Sequence, residues 1–177
     1  MKIKKICAII AFSIIILFLS SFFSGCLESD GKAEYATNFE YTSIDNSKKQ
    51  LSDFQGKILL IDFFGATCGP CQYQMLELIN VYENYKEKNL EILSIDVWII
   101  QGETLDMVKQ FVSDAKSQGY YLNWSFGADD TRGTLARRYA NSGVPKLLLL
   151  DKNGNIYETW TGYTEYSAIT KKLDELI

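Results

Sequence analysis

No histidine occurs anywhere in the 177 residues. That absence removes imidazole metal sites, Ser-His and Cys-His catalytic pairs and any histidine proton shuttle, because each needs a ring nitrogen that titrates near neutrality. Chemistry in this chain has to run on thiols, carboxylates, lysines, tyrosines or backbone groups. Proline is nearly as scarce, at two residues, and four cysteines are too few for a disulfide-dense miniprotein. No basic run follows the first few residues, and 18 lysines and arginines stand against 22 aspartates and glutamates, a formal charge of -4. The basic footprint that nucleic acid requires is missing. What is present is a globular composition, 47% apolar and 14% aromatic, enough for one domain with a small appendage.

The appendage is at the front. Met1 to Lys5 carries three lysines, and Ile6 to Phe23 then runs without a charge to Ser24, Gly25 and Cys26. A basic start, an apolar core and small residues at its end predict an export signal over residues 1–25. Phe23-Ser24-Gly25-Cys26 resembles a lipoprotein processing box, in which the chain is cut before the cysteine and that thiol is acylated; Phe23 departs from the usual leucine. The competing expectation is an uncleaved signal anchor, since the apolar run is close to the ~17 residues that span a bilayer. Both place the domain on the outer face of the cell membrane, tethered by a lipid on Cys26 or by the signal anchor. From Cys26 onward 15 basic residues face 22 acidic ones, a charge of -7. Residues 26–37 are polar and pattern-free and read as a tether, and residues 38–177 as the folded domain.

Within that domain the hydrophobic period alternates between strand and helix. Phe39, Tyr41 and Ile44, followed by Asp45-Asn46 and Leu51, predict a short hairpin. Lys57 to Phe64 is a continuous apolar run, as expected of a central parallel strand covered on both faces. Met75, Leu76, Leu78, Ile79, Tyr82 and Tyr85 recur at helical spacing over Cys71 to Lys86, with Pro70 at the first helical position. Leu90 to Trp98 reads as a strand, Glu103 to Gln118 as a helix, Trp124 to Phe126 as a short strand, Thr134 to Ala140 as a short helix and Lys146 to Leu150 as a third buried strand. Asp151 to Asn155 is a turn with Gly154 where positive φ is needed, Ile156 to Trp160 returns from it, and Ile169, Leu173, Leu176 and Ile177 line a last helix. The order β, β, α, β, α, β, α, β, β, α calls for an α/β fold with a mixed sheet and helices on both faces.

Cys68-Gly69-Pro70-Cys71 lies between the 57–64 strand and the first long helix. Unpaired amides and the positive end of the helix dipole favour a thiolate on the N-terminal cysteine, which makes Cys68 the expected nucleophile. Cys71, one turn further in, is expected to be more buried and to resolve a mixed disulfide on Cys68. Gly69 leaves room for a partner backbone. One CxxC with no histidine does not supply the four ligands of a zinc site, so no metal is expected. A structural disulfide across two intervening residues would remove little unfolded-state entropy. A lone peroxide-reducing cysteine stays open, although a second cysteine at this spacing favours dithiol exchange.

Leu60 to Cys71 resembles the active-site strand and helix start of the thioredoxin superfamily, and Gly143-Val144-Pro145-Lys146 with the strand after it resembles that family's cis-proline loop. With the export signal, Leu51 to Lys57 before the active-site strand, and the extra helix after Glu103, the similar branch is the membrane-tethered, AhpC/TSA-related TlpA-like oxidoreductases. The resemblance implies a thioredoxin-like fold and two-electron thiol-disulfide exchange through Cys68 and Cys71, with no dissociable cofactor. It implies a cis bond before Pro145 that brings Val144 beside the sulfurs to pair with an extended substrate, and a buried Asp62 that accepts the Cys71 proton. Two positions depart from the family. Thr67 stands where tryptophan is usual, which opens one side of the substrate site, and Leu90 to Val97 lacks the lysine that often supports the buried aspartate. Trp98 and Tyr73 could replace the missing aromatic surface, though core packing or plain exposure suits them better. Asp129-Asp130 reads as a helix cap. The expected activity is reduction of disulfides in exported proteins by a monomer fed by a membrane dithiol donor; an oxidase or isomerase, or a redox-inert binding module, are the alternatives.

Overall fold

The computed structural model describes residues 35–177; the expected signal, Cys26 and the front of the tether lie outside the described residues. Among the described residues no helix is long and apolar enough to cross a membrane.

Strand β3 (Ile58–Phe64) is buried at every position. Its side chains alternate between two apolar clusters, as a period of two demands. Leu60 and Phe64 face one way and Leu59, Ile61 and Phe63 the other. Because both faces are covered, the strand needs no polar alternation, and its continuous apolar run follows. Around it lie β4 (Leu90–Asp96), parallel to β3, β5 (Ser125–Ala128), parallel to β4, and β6 (Lys146–Leu150), antiparallel to β3. The edges are β7 (Ile156–Thr161) and the hairpin β1 (Glu40–Ser43) with β2 (Lys48–Gln50), giving the order β2-β1-β5-β4-β3-β6-β7.

Helices α1 (Gly69–Tyr85), α2 (Leu105–Ser117) and α4 (Tyr166–Leu173) cover the Leu60 face through Met75, Leu78, Val108, Ile169 and Leu173, while α3 (Thr134–Tyr139) puts Leu135 on the other. The expected mixed sheet with helices on both faces is what forms. Seven strands form rather than six, because both arms of the front hairpin join the sheet. Asp129 and Asp130 do cap α3: Asp129 Oδ2 accepts from the amides of Leu135 and Ala136, and Asp130 Oδ1 from Thr134.

Several boundaries differ from the sequence expectation. Helix α1 begins at Gly69 with Cys68 as its N-cap, so Pro70 is the second helical residue. Trp98 leaves β4 for a single 3-10 turn, Trp98–Gln101, since the Trp98 amide binds the Asp96 carboxylate at 2.8 Å and bends the chain out of the sheet. Helix α2 starts after Thr104, whose hydroxyl accepts the Met107 amide at 3.3 Å, and Glu103 is left outside it. At the chain end Ile177 is half exposed and does not join the apolar side of α4.

Glycine is required at position 65. A Cβ there would lie 2.5 Å from two ring carbons of Trp98, which packs against both core clusters. Gly65→Ala is therefore expected to lose about 1 to 3 kcal/mol in urea unfolding, the usual cost of overpacking; an unchanged midpoint would mean that Trp98 moves aside freely.

The chain enters far from this point. Tyr35 bridges to Asn155 and the Ala36 amide donates to the Gly154 carbonyl at 3.1 Å. Gly154 has the expected positive φ, +83°. Leu59 pairs with Leu150, so this turn lies at the N-terminal end of β3.

Candidate active site

The C-terminal end of β3 feeds a tight turn. The Cys68 amide donates to the Gly65 carbonyl at 3.0 Å, and Cys68 then caps α1, its sulfur 3.3 Å from the Cys71 amide. Cys68 and Cys71 are joined by a disulfide with their Cα atoms 5.2 Å apart. Both are buried, at 4% and 1% exposure, so the expected difference in burial is small; Thr67, Gly69 and Pro70 around them are exposed. Amides aimed at a sulfur from a helix start favour its anionic form.

The antiparallel pairing of Phe63 with Lys146 sets Gly143, Val144 and Pro145 beside the end of β3. The Val144-Pro145 bond is cis, as the resemblance implies, and the Pro145 carbonyl accepts the Gly162 amide at 2.8 Å. On the other side Thr67 and Gly69 border a cleft of about 700 Å³ between α1 and α2, lined by Leu76 and Met107 among others. Thr67 does leave that side open. Trp98 packs against the core, whereas Tyr73, 68% exposed on α1, lines the same cleft as Thr67 and Gly69.

Asp62 lies on the α1 face of β3, between Leu60 and Phe64, and is fully buried. Directly opposite in register is Ser94, in the strand where the family's lysine is missing. The Ser94 hydroxyl donates to Asp62 Oδ2 at 3.0 Å, and the Trp124 indole N–H donates to Ser94 at 3.0 Å. Asp62 Oδ1 has no partner. Burial pushes this carboxyl up to about 7, against the opposing effect of the Ser94 hydrogen bond. A neutral hydroxyl takes the place of a cation, so only that hydrogen bond opposes the burial.

Two acids that sequence reasoning missed complete the site. Asp96, at the end of β4, and Glu103 bind the turn ahead of Cys68: the Ala66 amide is 3.2 Å from Asp96 Oδ2 and 2.7 Å from Glu103 Oε2, and the Thr67 amide is 3.0 Å from Glu103 Oε1. The Thr67 hydroxyl donates to the same Oε1. Burial, then the hydrogen bond and charge of Glu103, raise Asp96 well above the carboxylate range; burial opposes ionisation of Glu103, but its bonds from Asp96, Thr67 and Ala66 hold it low. One signal in the sequence pointed here: an acid at the C-terminal end of a parallel strand adjoining the active-site strand, where α/β sheets place their sites.

A disulfide on the first turn of a helix that leaves the central strand, with a cis-proline loop at its side, places the molecule among the thioredoxin-like thiol-disulfide oxidoreductases. Comparison with known proteins agrees. Residues 33–159 match the AhpC/TSA family, and the chain belongs to it. It is 32% identical over 157 residues to the thiol-disulfide oxidoreductase ResA of Bacillus cereus, covering 84% of this chain and 85% of that one. To ResA of Bacillus subtilis it is 28% identical over 142 residues, with 80% and 74% covered. Among solved structures, a thiol-disulfide oxidoreductase from Bacteroides fragilis superposes with a TM-score of 0.68 at 25% identity, over 81% of this chain and all of the other. A thiol:disulfide interchange protein from Chlorobium tepidum gives 0.66 at 19% identity, over 83% and 98%, a likeness of fold.

Proposed function

We propose that the protein is a reductase of exported protein disulfides, held at the outer face of the cell membrane by a lipid on Cys26 or by its signal anchor, with the residues between Cys26 and Tyr35 serving as tether. The observation that carries the reading is the Cys68-Cys71 disulfide at the start of α1. In the reduced protein the Cys68 thiolate attacks a substrate disulfide, forming the Cys68–substrate bond and expelling one substrate thiolate, which takes a proton. Cys71 gives its proton to Asp62 and attacks the Cys68 sulfur. The mixed disulfide breaks, the second substrate thiol leaves, and Cys68-Cys71 closes. Two electrons have passed from the pair to the substrate. Val144 and Pro145 offer backbone to the extended substrate, Gly69 and Pro70 form the exposed rim it meets, and Thr67 leaves space beside it.

The cycle needs no dissociable cofactor, but the pair has to be reduced again, and outside the membrane a membrane-embedded dithiol protein fits that need. The monomer is sufficient, since every residue named lies in one chain.

Direction follows from the reduction potential of the pair, measured on the folded domain against dithiol buffers. A value near the roughly -270 mV of thioredoxin is expected; one between about -180 and -120 mV would reassign the protein to oxidation or isomerisation.

A further inference from the structure

The cycle above leaves two buried carboxyls without work. Asp96 is 0% exposed and Glu103 7%. Among the described residues neither pairs with a lysine or arginine. Both carboxyls converge on the Ala66 amide, Asp96 Oδ2 at 3.2 Å and Glu103 Oε2 at 2.7 Å, and two carboxyls so close without a cation cannot both ionise cheaply, so the pair retains a proton. Glu103 accepts from Ala66, from the Thr67 amide and from the Thr67 hydroxyl, which puts the charge on Glu103 and the proton on Asp96.

The donors they hold are the ones the turn itself abandons. In a turn closed by Cys68 N–H to Gly65 C=O, the amides of the two central residues have no acceptor within the turn. Those residues are Ala66 and Thr67. Glu103, 37 and 36 positions away, satisfies both of them. The next residue is Cys68, whose sulfur direction depends on the turn that delivers it.

We propose that Asp96 and Glu103 are a positioning pair for the thiol chemistry: Glu103, held by Asp96, pins the Ala66 and Thr67 amides and so aims the Cys68 sulfur at an incoming disulfide. The proposal deepens the dithiol exchange described above and rests on it. Displacement of a sulfur by a sulfur needs in-line approach, and a turn free to rock loses near-attack geometry at each encounter. Loss of the shared proton sets two carboxylates against each other and opens the clamp, so attack slows on the alkaline side. Other acids nearby are engaged elsewhere. Asp62 of β3 is bonded to Ser94, Asp129 after β5 caps α3, and Asp106 of α2 pairs with Lys109.

The test is stopped-flow reaction of the reduced protein with oxidised glutathione from about pH 6 to about pH 9, beside alkylation by iodoacetamide. Glu103→Gln offers an amide where an acceptor is needed, and is expected to slow the disulfide reaction about ten- to hundredfold, the equivalent of losing charge-assisted hydrogen bonds. Asp96→Asn keeps a donor towards Glu103 but has no proton to lose, and is expected to abolish the alkaline fall in rate. A purely structural pair would give neither a fall nor its removal. Should Glu103→Gln fail to fold, Thr67→Val removes one of the three donors and is expected to slow the reaction several-fold. Wild-type rates in Glu103→Gln or Thr67→Val, or an alkaline fall that persists in Asp96→Asn, would overturn the proposal. Failure of the reductase reading looks different: the wild type itself would not react with the disulfide, while iodoacetamide would still report the Cys68 thiol.

Discussion

Cys68→Ser is expected to stop disulfide exchange, with insulin reduction falling by about 10³-fold or more, the scale on which loss of a covalent nucleophile acts. Serine keeps the N-cap, because its oxygen can accept the Cys71 amide that now points at sulfur from 3.3 Å. The fold should therefore survive and the loss should be chemical. Cys71→Ser separates the two halves of the cycle. Its Cys68 still attacks, but nothing resolves the product, so a mixed disulfide accumulates that is visible on a non-reducing gel and by intact mass. Applied to membranes, the same variant should trap the dithiol donor. Peroxide consumption that survives Cys71→Ser would instead assign a peroxidase, and full activity in Cys68→Ser would reduce the protein to a binding module.

Asp62→Asn carries the second large effect, and it has two faces. The folded protein holds a proton on Asp62 up to about pH 7, whereas the unfolded chain releases it near the ordinary aspartate value of about 4. Over that window the folded state binds more protons, so its stability falls as pH rises and levels off above about pH 7. Asparagine cannot titrate. Its gain over the wild type should thus be about 2 to 3 kcal/mol greater at pH ~8 than at pH ~5, read by urea unfolding at the two values. Activity moves the other way. Ser94 donates to Oδ2, so the proton of the neutral acid belongs on Oδ1, the oxygen without a partner, and on the proposed cycle Oδ1 is the atom that would take up the Cys71 proton. The variant should slow resolution of the mixed disulfide about a hundredfold and lose the rise in rate through pH ~7. A variant more stable yet equally fast would show that Asp62 serves packing alone.

The elements legible in the sequence are those with a strong local pattern. Ile58 to Phe64 is apolar but for Asp62, Gly154 marks the β6–β7 hairpin, and the spacing of Met75, Leu78 and Tyr82 marks α1. Cys68, Cys71 and Pro145 were legible because motifs carry them. The clamp was not. Glu103 reads as the first residue of an amphipathic helix, and only the capping hydroxyl of Thr104 leaves it outside. Asp96 reads as a strand residue, and its meeting with Ala66 depends on the register that sets Phe64 beside Asp96. Ser94 shows the same limit from the opposite direction. The missing lysine was noticed, but the hydroxyl that fills its place and the Trp124 behind it belong to other strands and loops.

The entry of the chain at the Asn155 turn bears on how a substrate reaches the disulfide. Strand β3 spans seven residues between that turn's end of the sheet and the Gly65 turn, ~20 Å at the usual rise. Tyr35 joins one pole of the domain and the sulfurs sit at the other. On the proposed function, an electron donor and a substrate would both have to reach the sulfurs at that second pole, and so would take turns there.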